Sequence, residues 1–530
     1  MVDNPEAPRI AGMGPSLVRS GGLILVLSVI TLALGFGVQM ALAARLGTSR
    51  AMDIYLVAIT LPALGATVAV TVFPSALVPV LRGRLVAEDS LQADSIFRFA
   101  FMLSAVLGMA AAICVSVGAA FVVQVTAPGL VGADAETAAG LLQVAAFGLA
   151  FDIPRGVLTA RQYALQRYLA PQAAPSLNHV ILLASALILL PRLGLGAMAA
   201  AWTAGSAAML VLLLPSAFRP LTRSGAPAAG WASLAGLPAV LTVAALTQAT
   251  PVVDRWVAST LPAGAIASLG YGSKILEVLM RTIPMGVGLA FFPLLSEYAS
   301  RRRWTEFQQA ASKAGRWLWL GGVPLALLVV MLREPWVVLL FERGGFDRGS
   351  SLAVAQGLLW YGLAFLPAGG VYFLTYSHYA MQETGPLVRA GLLTLVGTFI
   401  LDVLFVRWWG FSGIAVASLL ISTLVAGYLA ARMWKGRLQP ASLIRNPVAA
   451  GRLVASLVMA GVLALAASWA KGLLEDHRQL AVLIGMASAV SLALYIVTLL
   501  LFRDPEVGGG LRWAWARRPA QSRGRSSERG

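Results

Sequence analysis

A helix needs about 20 consecutive, mostly apolar residues to cross the hydrocarbon core of a bilayer, and this chain carries such a run fourteen times. The runs fall at 21–44, 53–81, 99–125, 137–160, 171–191, 195–215, 235–258, 266–295, 316–332, 351–379, 387–406, 412–431, 453–470 and 479–502. No soluble core of a 530-residue chain has room for so many, and the composition agrees. The chain is 58% hydrophobic and 12% charged, with mean hydropathy +0.79, whereas soluble domains are about half apolar and a quarter charged. The expected fold is therefore an all-α polytopic membrane protein of about fourteen transmembrane helices. The single cysteine, Cys114, excludes an internal disulfide framework. Three scattered histidines give no basis for a zinc or iron centre.

The net charge of +17 would point to nucleic acid in a soluble chain, but in a membrane chain its placement matters more. With the N-terminus inside, 27 of the 40 Lys and Arg residues fall in cytoplasmic segments and 9 outside, and the rest lie within spans. That bias places both termini in the cytoplasm and requires an even number of spans. The first span is too long for a cleaved signal peptide and is expected to be retained. The tail RRPAQSRGRSSERG reads as a disordered basic segment attracted to anionic lipid, so no nucleic-acid partner is expected.

The chain also repeats itself. LTARQYALQ at 158–166 returns as LTYSHYAMQ at 374–382, and GLAF at 148–151 returns at 362–365. Phe73-Pro74 answers Phe292-Pro293, and GLGAMAAA at 194–201 is echoed by FSGIAVA at 411–417. The offsets stay between 214 and 219 residues, which carries a feature from span 4 to span 10. An even number of crossings gives both copies the same orientation, a parallel repeat of six helices. Such halves enclose a central cavity and rock about it, which favours a transporter. The expected organisation is a cytoplasmic tail (1–20), an N-lobe (21–217), a linker (218–234), a C-lobe (235–435), two further helices (436–502) and a basic tail (503–530).

Charges inside spans cost at least about 2.5–3.5 kcal/mol at the bilayer centre and should face a cavity or one another. Asp53, Arg155 and Arg281 lie near span ends, where a side chain can snorkel to water. Asp254, Lys274, Glu277 and Asp402 sit deeper and are candidates for function. Lys274 and Glu277, three apart on one helix face, form either a self-satisfied ion pair or a cation open to an anionic headgroup, with Arg255 the next cation in sequence. Pro62, Pro154, Pro238, Pro284 and Pro367 interrupt spans, as kinks or as cavity-lining breaks. No P-loop, HExxH or GxSxG motif is present. His179 and His378 stand alone near span ends and read as structural. The chain is not expected to be an enzyme, and transport is expected to run on a gradient or the membrane potential.

ARLGTSRAMDIYLVAITLP with FPSALVPVL, then VTAPGL, APQAAPSLNHVI, VDRWVASTLPAGAIASLGYGSKILEVLMRTIPMGVGLAFFPLLSEY, LLFERGGFD and HYAMQETGPLVRAG follow one another along residues 16–435. In content and order they resemble the MurJ/MviN family of the MOP exporter superfamily. The resemblance implies a fourteen-helix flippase of the bacterial inner membrane with a cationic cavity, with helices 13 and 14 forming a groove for the lipid tail. Its substrate would be undecaprenyl-diphosphate-linked peptidoglycan precursor (lipid II). By the same resemblance Lys274, Glu277 and Asp53 would bind substrate, Lys274 standing where the family has arginine, and Arg255 joins them as the nearest second cation in the chain. Family arginines of helices 1 and 2 correspond to Leu32, Val38 and Ala66 here, which keeps two alternatives open: a flippase for another polyprenyl-linked polysaccharide repeat (O-antigen or exopolysaccharide), or a non-transporting MviN-like scaffold. A small-molecule exporter of the MATE kind is disfavoured by the two C-terminal spans beyond twelve.

The resemblance further implies a sodium site of Asp254, Thr398, Asp402 and Ser418, hard oxygen donors that suit a small cation. The competing reading is an Asp402 hydrogen-bonded between helices. No other cofactor is expected. The partners are the polyprenyl-diphosphate-linked glycan and membrane lipids, and the sequence sets no oligomeric state.

Overall fold

The computed structural model describes residues 15–87, 89–217, 249–434, 447–504 and 506–507. Most of the expected N-terminal tail, the 218–234 linker, most of the seventh span and most of the basic tail lie outside the described residues, and the last residues of the expected tail, 15–20, already belong to the first helix. All the regular structure described is helical. The helices are α1 (Pro15–Leu46), α2 (Arg50–Val86), α3 (Ser90–Val117), α4 (Ala119–Thr126), α5 (Ala133–Ala145), α6 (Gly148–Ala164), α7 (Leu169–Ala184), α8 (Leu190–Leu193) and α9 (Leu195–Ala217). They continue with α10 (249–259), α11 (Ala265–Met280), α12 (Ile283–Ser300), α13 (Trp304–Met331), α14 (Arg333–Phe341), α15 (Arg348–Ala380), α16 (Thr384–Trp409), α17 (Phe411–Trp434), α18 (Pro447–Ala470) and α19 (His477–Leu501).

Among the described residues, 13 helical stretches are long and apolar enough to cross a membrane. Each coincides with one of the fourteen sequence runs, the missing one being the seventh. The third run differs in detail. It was expected to end at 125, but α3 stops at Val117, where the Gly118 N–H closes on the Cys114 carbonyl and the short α4 begins. Because α3 starts as early as Ser90, its 28 residues still suffice to span. Met102, Val106, Met109, Ile113 and Val117 recur at helical spacing along its exposed side, the surface a lipid-facing helix needs.

Two compact units divide the chain. The first comprises residues 1–271, 341–350 and 391–414. Its centre is α6, whose Val157, Leu158, Ala160 and Ala164 pack with Leu77 and Leu81 of α2 and Ile96, Phe97 and Ala100 of α3. Gly156 permits the close approach of α2, because a Cβ there would meet the Ala69 carbonyl oxygen. A buried helix carrying charge must satisfy it internally. Arg155 therefore donates to Asp152 Oδ1 at 2.9 and 2.7 Å, while Ser206 donates to Asp152 Oδ2 at 2.7 Å. Arg161 likewise pairs with Asp94 at 2.8 Å and lies over the Phe97 ring. The pairing of Arg155 replaces the snorkelling expected of it: its side chain is 9% exposed.

The second unit comprises 272–340, 351–390 and 415–530. Here α18 and α19 pack on each other and on α13 through Met459, Leu463, Leu480, Ile484 and Tyr495. Arg452 to Asp504 and Arg316 to Glu506, at 2.7 and 2.8 Å, tie the end of α19 to α18 and α13.

The sequence repeat returns as backbone conformation. Both nonamers end a helix with glutamine in the left-handed region, Gln166 and Gln382, each at φ 58°. The bonding around them is the same. Gln166 N–H reaches Tyr163 O and Arg167 N–H reaches Gln162 O, while Gln382 N–H reaches Tyr379 O and Glu383 N–H reaches His378 O. This is the Schellman closure of a helix end. Gly47 and Gly264, then Gly194 and Gly410, form further left-handed pairs at the same sequence offset. His378 gives its Nε2 to the Leu429 carbonyl at 3.1 Å, and His179 Nδ1 lies 2.8 Å from the Pro175 carbonyl; both are tied to backbone.

Left-handed backbone costs a residue with a Cβ about 1–2 kcal/mol relative to glycine, and both glutamines are exposed. Gln166→Gly and Gln382→Gly should each stabilise the detergent-purified protein by about 1 kcal/mol, read as a raised thermal midpoint, and the β-branched Gln382→Val should lower it.

Candidate functional site

Two sets of charged residues stand out, one in each unit. In the first unit α10 carries Thr250 and Asp254, and α16 carries Thr398 and Asp402. In both helices the threonine precedes the aspartate by four residues, so hydroxyl and carboxylate share a face. The two carboxyl groups lie against each other. Asp402 and Thr398 are buried, at 0% and 1% exposure. Asp254 Oδ1, both Asp402 oxygens and the two threonine hydroxyls have no hydrogen-bond partner of good geometry among the described residues. Five such oxygens around two carboxyl groups, Asp402 buried and Asp254 partly so, are costly unless a proton or a cation balances them. The donor set is all hard oxygen, which fits a small alkali or alkaline-earth ion. Thr250 was not among the expected ligands. The signal was present as the matching spacing of TPVVD and TFILD. Ser418 is half-buried on α17 and belongs to the second unit.

Asp53 has a different surrounding from the one the resemblance implies. It is 1% exposed, and its two oxygens accept the N–H groups of Gly264 at 2.6 Å and Ala267 at 2.8 Å. These are orphan donors at the start of α11, so Asp53 caps that helix from α2 and meets its positive dipole end. Gly264 is at φ +90°, and a Cβ on it would meet the Thr48 carbonyl oxygen, so the turn entering α11 requires glycine. Tyr271, further along α11, donates to the Gly47 carbonyl at 3.1 Å. Arg255 has its hydrogen bond elsewhere: its Nη1 donates to the Thr60 hydroxyl at 2.6 Å, and that hydroxyl donates in turn to the Leu56 carbonyl.

The second unit holds the cationic set. Lys274 Nζ donates to Glu277 Oε2 at 2.9 Å, and Arg281 Nη2 donates to Glu277 Oε1 at 2.8 Å. One carboxylate thus bridges two cations and leaves a net positive charge. The side chains are 26%, 44% and 60% exposed for Lys274, Glu277 and Arg281, so water reaches all three. Pairs this exposed are worth about 0–1 kcal/mol each. An anion of higher charge can therefore displace Glu277 at small cost. Arg281 was expected to snorkel, and at 60% exposure it reaches water while it completes the bridge. Leu32, Val38 and Ala66 contribute no charge; Val38 is buried and the other two are partly so.

A family model described as lipid II flippase MurJ matches residues 42–485. The chain belongs to the lipid II flippase MurJ family. The match begins later than the 16–435 of the sequence resemblance but extends past its C-terminal end, taking in α18 and part of α19. Among curated relatives, a probable lipid II flippase MurJ of Vibrio cholerae is 27% identical over 182 residues, covering 34% of each chain. One of Bdellovibrio bacteriovorus is 28% identical over 188 residues, or 36% of its length. The chain thus spans about a third of these first relatives. A longer alignment, to a Synechocystis protein of the same description, is 24% identical over 425 residues and covers 76% of this chain and 79% of that one. Among solved structures, a lipid II flippase MurJ in an inward closed conformation superposes with TM-score 0.74 at 17% identity, covering 92% of this chain and all of that one. A MATE family multidrug transporter of the MOP superfamily superposes with TM-score 0.66 at 16% identity over 79% of this chain. At these identities both show a common fold.

Removing the cap should destabilise. Asp53→Ala is expected to cost about 1–2 kcal/mol, read as a lowered thermal midpoint in detergent. A loss of transport with an unchanged midpoint would instead make Asp53 a substrate ligand.

Proposed function

We propose that this chain flips undecaprenyl-diphosphate-linked peptidoglycan precursor, lipid II, across the bacterial inner membrane by alternating access between two parallel lobes. Family membership over residues 42–485 supports this reading, and the observation that carries it on the chain itself is the Lys274–Glu277–Arg281 cluster. A diphosphate brings at least two negative charges. Lys274 and Arg281 offer it an ammonium and a guanidinium held near each other by a carboxylate that is cheap to displace. Asp53 then acts as a positioning residue, because it fixes the start of the helix that carries Lys274. The 27-to-9 division of basic residues supports cytoplasmic termini, and nothing in the site calls for bond-breaking chemistry by the protein.

Lys274→Ala should abolish movement of the lipid-linked diphosphate in a leaflet-accessibility assay at normal protein level, and complementation of a strain depleted of its lipid II flippase tests the substrate. Growth supports lipid II. Failure to grow with preserved transport of another polyprenyl-linked repeat would favour the second reading, for which Leu32, Val38 and Ala66 in place of family arginines are the specific motive. A chain that moves neither would fit a non-transporting scaffold.

The carboxylate pair is the proposed coupling site. Asp254, Asp402, Thr398 and Thr250, all of the first unit, would hold a sodium ion. When bound, the ion would neutralise two buried carboxylates, so α10 and α16 would pack differently with and without it. Asp402→Asn should remove any dependence of transport on sodium; a sodium response equal to wild type would exclude this site.

A further inference from the structure

The α12–α13 hairpin of the second unit encloses a cleft of about 680 Å³. Phe291 and Leu294 of α12 give it an apolar side, and Tyr298, Glu306, Gln309, Lys313 and Arg316 a polar one. Neither lobe symmetry nor the charged clusters described above use this cleft. Its depth in a membrane follows from helix length. The 28 residues of α13 extend about 42 Å at 1.5 Å per residue, longer than the roughly 30 Å hydrocarbon core. The apolar runs that fit the core end at 295 on α12 and resume at 316 on α13, which puts Phe291 and Leu294 within the core and Lys313 just outside it, toward the headgroups.

The charge on the polar side is unbalanced. Arg301 pairs with Glu297 at 3.2 Å, Arg303 with Glu306 at 2.7 Å and Arg316 with Glu506 at 2.8 Å. Every carboxylate near the cleft is thereby taken. Among the described residues Arg302 and Lys313 have no acidic partner, and Lys313 lies on the cleft itself. Tyr298 on the polar side and Trp317, whose Nε1 donates to Glu506 at 3.1 Å, are the amphipathic aromatics found at membrane interfaces.

We propose that this cleft binds an anionic phospholipid, with the headgroup phosphate on Lys313 and one acyl chain over Phe291 and Leu294. An unpaired cation at the depth of a headgroup, in a cleft with an apolar side, matches that amphiphile. A small soluble anion would leave the apolar side unused, and a zwitterionic lipid would leave the excess charge unmet. Such a lipid would brace the α12–α13 hairpin from the bilayer, whatever substrate the chain transports.

Native mass spectrometry of the full-length protein in detergent tests this with dioleoyl-phosphatidylglycerol and dioleoyl-phosphatidylcholine. Wild type should retain phosphatidylglycerol in preference to phosphatidylcholine, a comparison that needs no substitution. Lys313→Gln should weaken phosphatidylglycerol binding about fivefold, the worth of one basic residue at an anionic headgroup. Leu294→Trp, which fills the apolar side and leaves the charge unchanged, should also reduce it. Both variants are read only at wild-type elution and thermal midpoint. Equal retention of the two lipids by wild type would overturn the proposal, as would phosphatidylglycerol binding that neither substitution alters. Displacement of the lipid by inorganic phosphate at matched concentration would reassign the cleft to a small anion and overturn it as well.

Discussion

The hydrocarbon core of a bilayer offers no water to an unpaired N–H or C=O, and each group left unsatisfied there costs several kcal/mol. Everything else in this protein follows from meeting that constraint thirteen times among the described residues. Helices satisfy their own interiors and leave their ends exposed to the same penalty. The chain closes those ends with local devices: Asp89 on α3, Asp476 on α19, and the Schellman turns at Gln166 and Gln382. The most consequential closure is not local. Asp53 of α2 caps α11, more than 200 residues away in sequence.

Charge follows the same logic. Where a helix is buried, its ions are matched by neighbours, as Asp152 is by Arg155 and Ser206, and Asp94 is by Arg161. Where a helix meets water, ion pairs are weak and exchangeable, as in the Lys274–Glu277–Arg281 bridge. The Asp254–Asp402 pair fits neither class. Among the described residues the two carboxylates, Asp402 buried and Asp254 partly so, carry oxygens without a hydrogen-bond donor, although Arg255 is the adjacent residue. Arg255 is instead bonded to Thr60.

The duplication shows how sequence identity and backbone conformation divide their work. LTARQYALQ and LTYSHYAMQ differ at the residues that meet their surroundings: Arg161 answers Asp94, whereas Ser377 bonds back to Phe373. They agree where the helix must end, because a left-handed residue two positions past the last full turn closes both helices in the same way. The repeated tyrosine, alanine and glutamine therefore serve helix termination and packing, and the functional charges lie elsewhere.

For the thirteen spans among the described residues, helix order and approximate ends were legible in the sequence, because hydrophobic length is a local property and the bilayer fixes its scale. The duplication was legible for the same reason, as a spacing. The chemical identity of the cation cluster was half legible: Lys274 and Glu277 follow from i,i+3 spacing, but Arg281 completes the bridge only once the turn after α11 is in place. What each buried charge faces was decided by tertiary structure alone. Asp53 and Asp402 are both acidic residues in apolar runs, with nothing local to separate them. One meets a helix N-terminus and the other a second carboxylate, and that difference arises from side chains brought together across more than a hundred residues of chain.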